Sequence, residues 1–160
     1  MSSKVQQPVS FEIAKSKITR YCAYQERCHS EVKEKLLTFG ITDEEVDELL
    51  VYLIRENFLN EERFARVYAG GKFRMKGWGR IKIRAALGKK GLGENCIRLG
   101  LRELADEDYL KCLEKLLLGL LDQKEQANLF LARNKAAQAA IRKGFEPELV
   151  WRRLRDLAPD

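Results

Sequence analysis

Apolar residues recur at helical spacing around three glycines, Gly40, Gly91 and Gly144, each of which is followed by an apolar residue. The second glycine lies 51 residues after the first, and the third lies 53 residues after the second. Offsets of three and four residues place side chains on one face of a helix. Each neighbourhood therefore predicts a helix, a glycine-capped turn and a second helix. The matched apolar positions are Val32, Leu36, Val46, Leu50 and Leu53, then Ile83, Leu87, Ile97, Leu101 and Leu104, then Ala136, Ala140, Val150, Leu154 and Leu157.

A further segment with helical spacing precedes each predicted helix pair, at 11–25, 61–75 and 109–121. Alternation typical of a strand is absent from the sequence. We therefore predict an all-α protein of about nine helices, arranged as three tandem three-helix repeats that form an elongated, curved array. In such an array the apolar residues are shared among several small cores, and each repeat depends on its neighbour for stability.

The expected boundaries are an N-terminal tail at 1–10 and repeats at 11–58, 59–105 and 106–160. Capping signals support these boundaries. Thr42 and Glu45 have the spacing of a capping box, Asn60 suits the residue before a helix, and Pro147 suits the first helical position.

Positive charge is concentrated in the middle repeat. The formal net charge of the chain is +6, yet 60–104 contains 12 basic and 4 acidic residues. Between Lys72 and Gly93 there are eight basic residues and no acidic one. Like charges four residues apart on a helix, such as Arg80 and Arg84, repel each other. The window therefore predicts a surface for a polyanion or an acidic protein, although charged residues that only solvate a helix face would be the simpler interpretation.

The candidate binding residues are the cations of this window together with a tryptophan at its centre. Trp78 lies in the predicted turn Gly77-Trp78-Gly79, where it either anchors the turn in the core or stacks on a base or a partner's pocket. Arg80 and Arg84 are expected to be exposed beside the apolar line through Ile83 and Leu87. The predicted partner- or nucleic-acid-binding residues are Lys72, Arg74, Lys76, Trp78, Arg80, Arg84, Lys89 and Lys90.

Signals for catalysis, metals and membranes are weak. The sequence has no phosphate-binding loop, no nucleophile elbow and no second histidine, so we expect neither an enzyme nor a cofactor. The four cysteines and the single His29 do not have the spacing of a metal site, so we expect no metal and buried or incidental thiols. No apolar stretch is long enough to cross a membrane, and 1–10 does not resemble a signal peptide, so we expect a cytoplasmic protein.

Several segments, taken in order, resemble the RecX family of regulatory proteins. In the first repeat they are Tyr21-Cys22-Ala23, Arg27-Cys28-His29-Ser30 and Gly40-Ile41. In the second they are 59–65, Lys76-Gly77-Trp78-Gly79 and 83–92. The similarity is strong from Tyr21 to Leu104 and looser in the third repeat, where Lys143-Gly144-Phe145 keeps the repeat register.

The resemblance implies a monomeric regulator, built of tandem three-helix repeats, that binds the RecA recombinase and its filament on single-stranded DNA. It also implies suppression of ATP hydrolysis, strand exchange and repressor cleavage, with contacts to single-stranded and double-stranded DNA. The alternative is a non-specific DNA-binding helical-repeat protein that acts without a recombinase partner, because three-helix units also resemble helix-turn-helix modules. The predicted charge lies mainly before the last helix of the middle repeat, which favours backbone or protein contact over base readout.

Overall fold

The computed structural model describes residues 7–122 and 128–159. Within these ranges the chain forms nine α-helices and no strand. The helices are α1 Phe11–Tyr24, α2 His29–Leu37, α3 Asp43–Arg55, α4 Glu61–Lys76, α5 Arg80–Lys89, α6 Glu94–Leu101, α7 Asp106–Leu121, α8 Leu129–Arg142 and α9 Pro147–Leu157. The prediction of an all-α fold is therefore confirmed. The expected tail at 1–10 is described only from residue 7, and 123–127 and 160 of the expected third repeat also lie outside the described residues.

The helix starts follow the capping signals of the sequence. Thr42 and Glu45 form a complete capping box at the start of α3, and the side chain of Asn60 accepts a hydrogen bond from the backbone N–H of Arg63. Pro147 occupies the first helical position of α9. The helix α7 begins at Asp106, three residues earlier than predicted, because three acidic residues in its first turn favour the positive end of the helix dipole.

The three repeat glycines all adopt left-handed backbone conformations. Their φ angles are 70° at Gly40, 85° at Gly91 and 100° at Gly144. Each one ends the second helix of a trio and turns the chain toward the third helix, as the sequence predicted. A side chain at these positions would be strained, since L-residues rarely adopt such angles.

The buried residues form two cores rather than the several small ones that the array predicted. The first core is built within α1, α2 and α3 and contains Ile18, Leu36 and Leu49. The second runs without interruption through the helices from α4 to α9 and also includes Cys28, the residue before α2. Aromatic rings join its two halves, since the ring of Tyr109 lies 5.9 Å from that of Phe73 and 5.0 Å from that of Phe145.

Close approaches between backbones hold the second core together. A Cβ at Gly100 in α6 would lie 2.8 Å from the Cβ of Ala65 in α4, so these two helices cross without room for a side chain. A Cβ at Gly79 would lie 2.3 Å from the carbonyl carbon of Gly144, which brings the start of α5 against the turn after α8. In the described part of the chain no helix is long and apolar enough to cross a membrane.

Candidate functional site

The basic window occupies the second half of α4, the turn at 77–79, the helix α5 and the residues that follow it. Three of its predicted binding residues, Arg80, Arg84 and Lys90, have acidic partners that other parts of the chain supply. The window contains no acidic residue in sequence, but acidic residues from other parts of the chain lie against it in the fold. Its predicted cations therefore divide into paired and unpaired groups.

Arg80 is part of the junction with the last three helices. Its guanidinium lies 2.9 Å from the Glu146 carboxylate and 2.8 Å from that of Asp106, and it sits 3.8 Å from the centre of the Tyr109 ring. Its side chain is only 28 % exposed. The expectation that Arg80 lies exposed beside the core was wrong, because long-range partners that a local pattern cannot reveal draw the guanidinium inward.

Tyr109 is the buried residue around which this junction is arranged. Its hydroxyl donates a hydrogen bond to the Glu146 carboxylate and accepts one of 3.0 Å from the backbone N–H of Arg80, an otherwise unpaired donor at the start of α5. Burial and the bond to Glu146 raise the pKa of Tyr109 well above its ordinary value. The predicted binding residues did not include Tyr109, since a tyrosine near a helix start carries no distinctive sequence signal.

Lys90 connects the middle helices to the first three. Its Nζ lies 2.9 Å from the Glu31 carboxylate, and its backbone carbonyl accepts a 2.8 Å hydrogen bond from the Ser30 hydroxyl. The hydrogen bond to Glu31 raises the pKa of Lys90. The charge of Lys90 is therefore neutralised at the junction. Arg84 pairs with Glu94 on α6, but its side chain remains exposed, and this exposure was predicted.

Trp78 anchors the turn, which is one of the two roles that the sequence allowed, while stacking on a base or a partner's pocket stays a prediction. The side chain is partly buried and packs against the second core. Lys72 Nζ lies 4.9 Å from the ring and Lys82 Nζ 4.6 Å from it. Contacts of this kind leave both ammonium groups at the surface while the indole orients them. Lys82 was counted in the basic window but was not among the predicted binding residues.

Five cations of the window have no acidic partner among the described residues. Arg74, Lys76, Lys82 and Lys89 are exposed, and Lys72 is partly buried. Lys143, at the end of α8, extends this group, because its Nζ donates a 2.9 Å hydrogen bond to the Lys76 carbonyl at the end of α4. Lys143 lies directly before a repeat glycine, as Lys90 does, and this shared position is the sequence signal that could have identified it. We call these five cations, together with Lys143 and Trp78, the turn surface.

A second group of cations lines an open cleft of about 540 Å³ between α5, α6 and the start of α7. The cleft brings Arg98 and Arg102 beside Arg80 and Arg84, with Asp106 at its edge. Arg98 donates a 2.6 Å hydrogen bond to the Asn95 side chain. Together the turn surface and this cleft can neutralise phosphates or carboxylates, but neither presents a nucleophile with an adjacent base. Among the described residues no three potential ligands cluster to hold a metal ion.

Comparison with known proteins gives two matches to family models. Residues 14–53 match the first three-helix domain of RecX, and residues 60–101 match the second. Together these ranges cover just over half of the chain.

Curated relatives carry the name regulatory protein RecX. That of Lactobacillus gasseri is 28% identical over 129 residues, which are 81% of this chain and 48% of the relative. That of Geobacillus kaustophilus is 28% identical over 132 residues with the same coverage. That of Clostridium perfringens is 29% identical over 123 residues, 74% of this chain and 56% of the relative. The chain thus spans about half the length of the curated relatives it matches.

Solved structures agree with these matches. The crystal structure of RecX from Lactobacillus salivarius has a TM-score of 0.85 at 22% identity and covers 92% of this chain and 96% of that one. A crystal structure of regulatory protein RecX has a TM-score of 0.80 at 26% identity and covers 91% of this chain and 71% of that one. The tandem three-helix architecture is therefore shared with both.

Proposed function

Because this chain belongs to the RecX family of regulatory proteins, we propose that it binds the RecA recombinase and its filament on single-stranded DNA. In this proposal it acts without catalysis and inhibits the ATPase, strand-exchange and coprotease activities of the recombinase. It thereby modulates homologous recombination, DNA repair and the SOS response. The expectation that it acts as a cytoplasmic monomer belongs to the same proposal.

The observation that carries this proposal is the turn surface. Its cations lack an acidic partner in the described part of the chain, although acidic residues are plentiful elsewhere in the sequence. An exposed cluster of like charges is unfavourable in the free protein and is relieved when a polyanion binds. We propose that Arg74, Lys76, Lys82 and Lys89 contact the filament or its DNA directly.

The paired cations have a different part in this proposal. Arg80 and Lys90 hold the junctions between repeats, and so they position the turn surface rather than extend it. Arg84 is exposed at the edge of the arginine-lined cleft, where its partner Glu94 is itself largely exposed. A phosphate or a partner carboxylate can replace such a surface ion pair at small cost.

The DNA contacts in this proposal are made to the backbone and not to base edges. The unpaired cations of the window are lysines and one arginine on α4 and α5, and lysine ammonium groups act mainly as point charges toward phosphate. Affinity should therefore fall steeply with salt and vary little with sequence.

The experiment that tests the proposal measures the single-stranded-DNA-dependent ATPase of the cognate RecA recombinase as this protein is added. We expect inhibition that persists when DNA is raised well above the amount that the recombinase covers. The alternative is a DNA-binding protein without a recombinase partner. It predicts that excess DNA removes the inhibition and that an unrelated single-stranded-DNA-dependent ATPase is inhibited equally.

A matched pair of double variants locates the surface. Lys76→Ala with Lys89→Ala removes two unpaired charges of the turn surface, and Lys33→Ala with Arg55→Ala removes two exposed charges from the first repeat. Only the first pair should lose inhibition and reduce the slope of log affinity against log salt by about one to two units. Equal loss in both pairs would show that total charge, and not this surface, matters.

A further inference from the structure

A second cationic surface lies on the first repeat, outside the basic window. It is an open cleft of about 650 Å³ between α1 and the end of α2. Four cations and two tyrosines line it, namely Lys17, Arg20, Tyr21, Tyr24, Arg27 and Lys35. None of these cations is among the binding residues predicted from the sequence.

Helical spacing brings these residues together. Lys17, Arg20, Tyr21 and Tyr24 are three, four and seven residues apart, so they share one outward face of α1. The opposite face of that helix carries Ala14, Ile18 and Cys22 into the first core. The remaining cations come from the linker after α1 and from the last turn of α2, so the cleft depends on the packing of this repeat.

The cations of the cleft are held against aromatic rings. The guanidinium of Arg27 lies 3.8 Å from the centre of the Tyr21 ring, and its Nε donates a 3.2 Å hydrogen bond to the Tyr21 carbonyl. Lys35 Nζ lies 5.7 Å from the same ring. These contacts restrain the charges without neutralising them.

No acidic residue of the described chain lines the cleft, although acidic residues outnumber basic ones by ten to seven in the repeat at 11–58. Two acids close in sequence to the lining residues are engaged elsewhere, since Glu26 pairs with Arg63 and Glu31 pairs with Lys90. None of the four lining cations has an acidic partner among the described residues. The cleft is therefore a local positive site on an acidic repeat.

Tyr24 distinguishes this cleft from a plain anion site. Its side chain is 83 % exposed at the last position of α1, where it contributes little to the core. An exposed ring beside unpaired cations is the combination that holds single-stranded nucleic acid, because bases stack on the ring while phosphates meet the charges. An acidic peptide would use the charges but would gain little from a ring that is this exposed, because aromatic anchors of peptide interfaces fill well-packed pockets.

We propose that this cleft is a second site for single-stranded nucleic acid, with one base stacked on Tyr24 and neighbouring phosphates at Lys17, Arg20 and Lys35. The proposal extends the proposed function, since it assigns the first repeat a DNA contact of its own. Binding through stacking and backbone charge is tolerant of sequence, because every base offers a ring face.

The test measures the affinity of the whole chain for fluorescein-labelled oligothymidylate by fluorescence anisotropy. Tyr24→Ala should weaken binding about fivefold or more, the effect of losing one base–aromatic stack, while Tyr24→Phe should bind like the parent protein. Photo-crosslinking to an oligonucleotide that carries 5-iodouracil should label the peptide containing Tyr24. Lys17→Ala with Arg20→Ala should reduce the salt slope more than the control Lys33→Ala with Arg55→Ala.

Parent-like affinity of Tyr24→Ala would overturn the proposal, and so would equal losses in the two charge variants. If Tyr24→Ala binds oligothymidylate normally but binds DNA-free recombinase less well, the cleft contacts protein and the assignment to nucleic acid is wrong. A different result would contradict the proposed function without contradicting the cleft. In that result the parent protein leaves the recombinase ATPase unaffected, while Tyr24→Ala still binds oligothymidylate less well than the parent protein.

Discussion

Replacing Gly79 by alanine should separate the middle helices from the last three. Gly79 precedes α5, and a Cβ there would lie 2.3 Å from both the Gly144 carbonyl carbon and the Phe145 nitrogen. Both obstacles are backbone atoms, so no side-chain rotation relieves the clash. The φ angle of Gly79 is −79°, which alanine adopts freely, so backbone strain adds nothing to the cost of this contact.

The expected cost follows from what the contact holds. Two backbone hydrogen bonds cross it, from Gly79 to the Lys143 carbonyl at 2.8 Å and from Ile81 to the Gly144 carbonyl at 2.9 Å. Each contributes about 0.5–1.5 kcal/mol, and forcing a methyl group into packed atoms costs about 1–3 kcal/mol. Gly79→Ala should therefore lower the free energy of unfolding by about 2–6 kcal/mol.

Urea denaturation followed by far-ultraviolet circular dichroism measures this effect. The control is Gly88→Ala on the same helix, where an added Cβ would meet no atom within 4 Å. Because alanine favours a helix over glycine, the control should gain about 0.5–1 kcal/mol. If Gly79→Ala unfolds at the same urea concentration as the parent protein, the close approach of the two backbones is not part of the native structure.

Two further predictions concern the same junction. Arg80→Ala should lower the free energy of unfolding by about 1–2 kcal/mol, since it leaves Glu146 without its cationic partner. Arg84→Ala should change it by less than about 0.5 kcal/mol, because its ion pair is exposed. Equal effects in urea denaturation would contradict the division into junction and surface arginines. The raised pKa of Tyr109 stabilises the fold fully below about pH 10, the ordinary tyrosine value, and this contribution is lost as pH rises toward the folded value. Tyr109→Phe should therefore flatten the alkaline fall in stability, and an unchanged pH profile in chemical denaturation would count against the burial of this hydroxyl.

The features that the sequence predicted are those with local causes. The left-handed turns at Gly40, Gly91 and Gly144 follow from a residue type that tolerates positive φ, and the caps at Thr42 and Asn60 follow from side chains that bond their own helix starts. The buried faces of the helices were equally predictable from the sequence, since all six apolar positions before the three glycines are fully buried. Each of these features is decided within a few residues.

The features that the sequence did not predict depend on partners far along the chain. Arg80 meets Glu146 across 66 residues, and Lys90 meets Glu31 across 59. No local pattern distinguishes these cations from Lys76 or Lys89, which stay unpaired in the described part of the chain. The candidate site could therefore be located from the sequence, but its division into structural and available charges required the three-dimensional arrangement.

The repeat register nevertheless explains how both junctions are built. His29 and Arg80 each stand eleven residues before a repeat glycine, and each is the first residue of its helix. His29 lies 3.0 Å from Glu61, and Arg80 lies 2.8 Å from Asp106, where Glu61 and Asp106 are the first residues of α4 and α7. At each junction the start of the second helix of one repeat therefore lies beside the start of the first helix of the next repeat.

The lysines before the second and third glycines complete this correspondence. Lys90 Nζ bonds back to Glu31 in the preceding repeat, and Lys143 Nζ bonds back to the carbonyl of Lys76. The equivalent contacts differ in what surrounds them. The first junction is held by ion pairs and by the buried Cys28, which packs in the second core, whereas the second junction is built around the buried Tyr109 within one core. Because salt and competing charges weaken ion pairs near the surface but not buried aromatic packing, we expect adjustment to a polyanionic partner at the first junction.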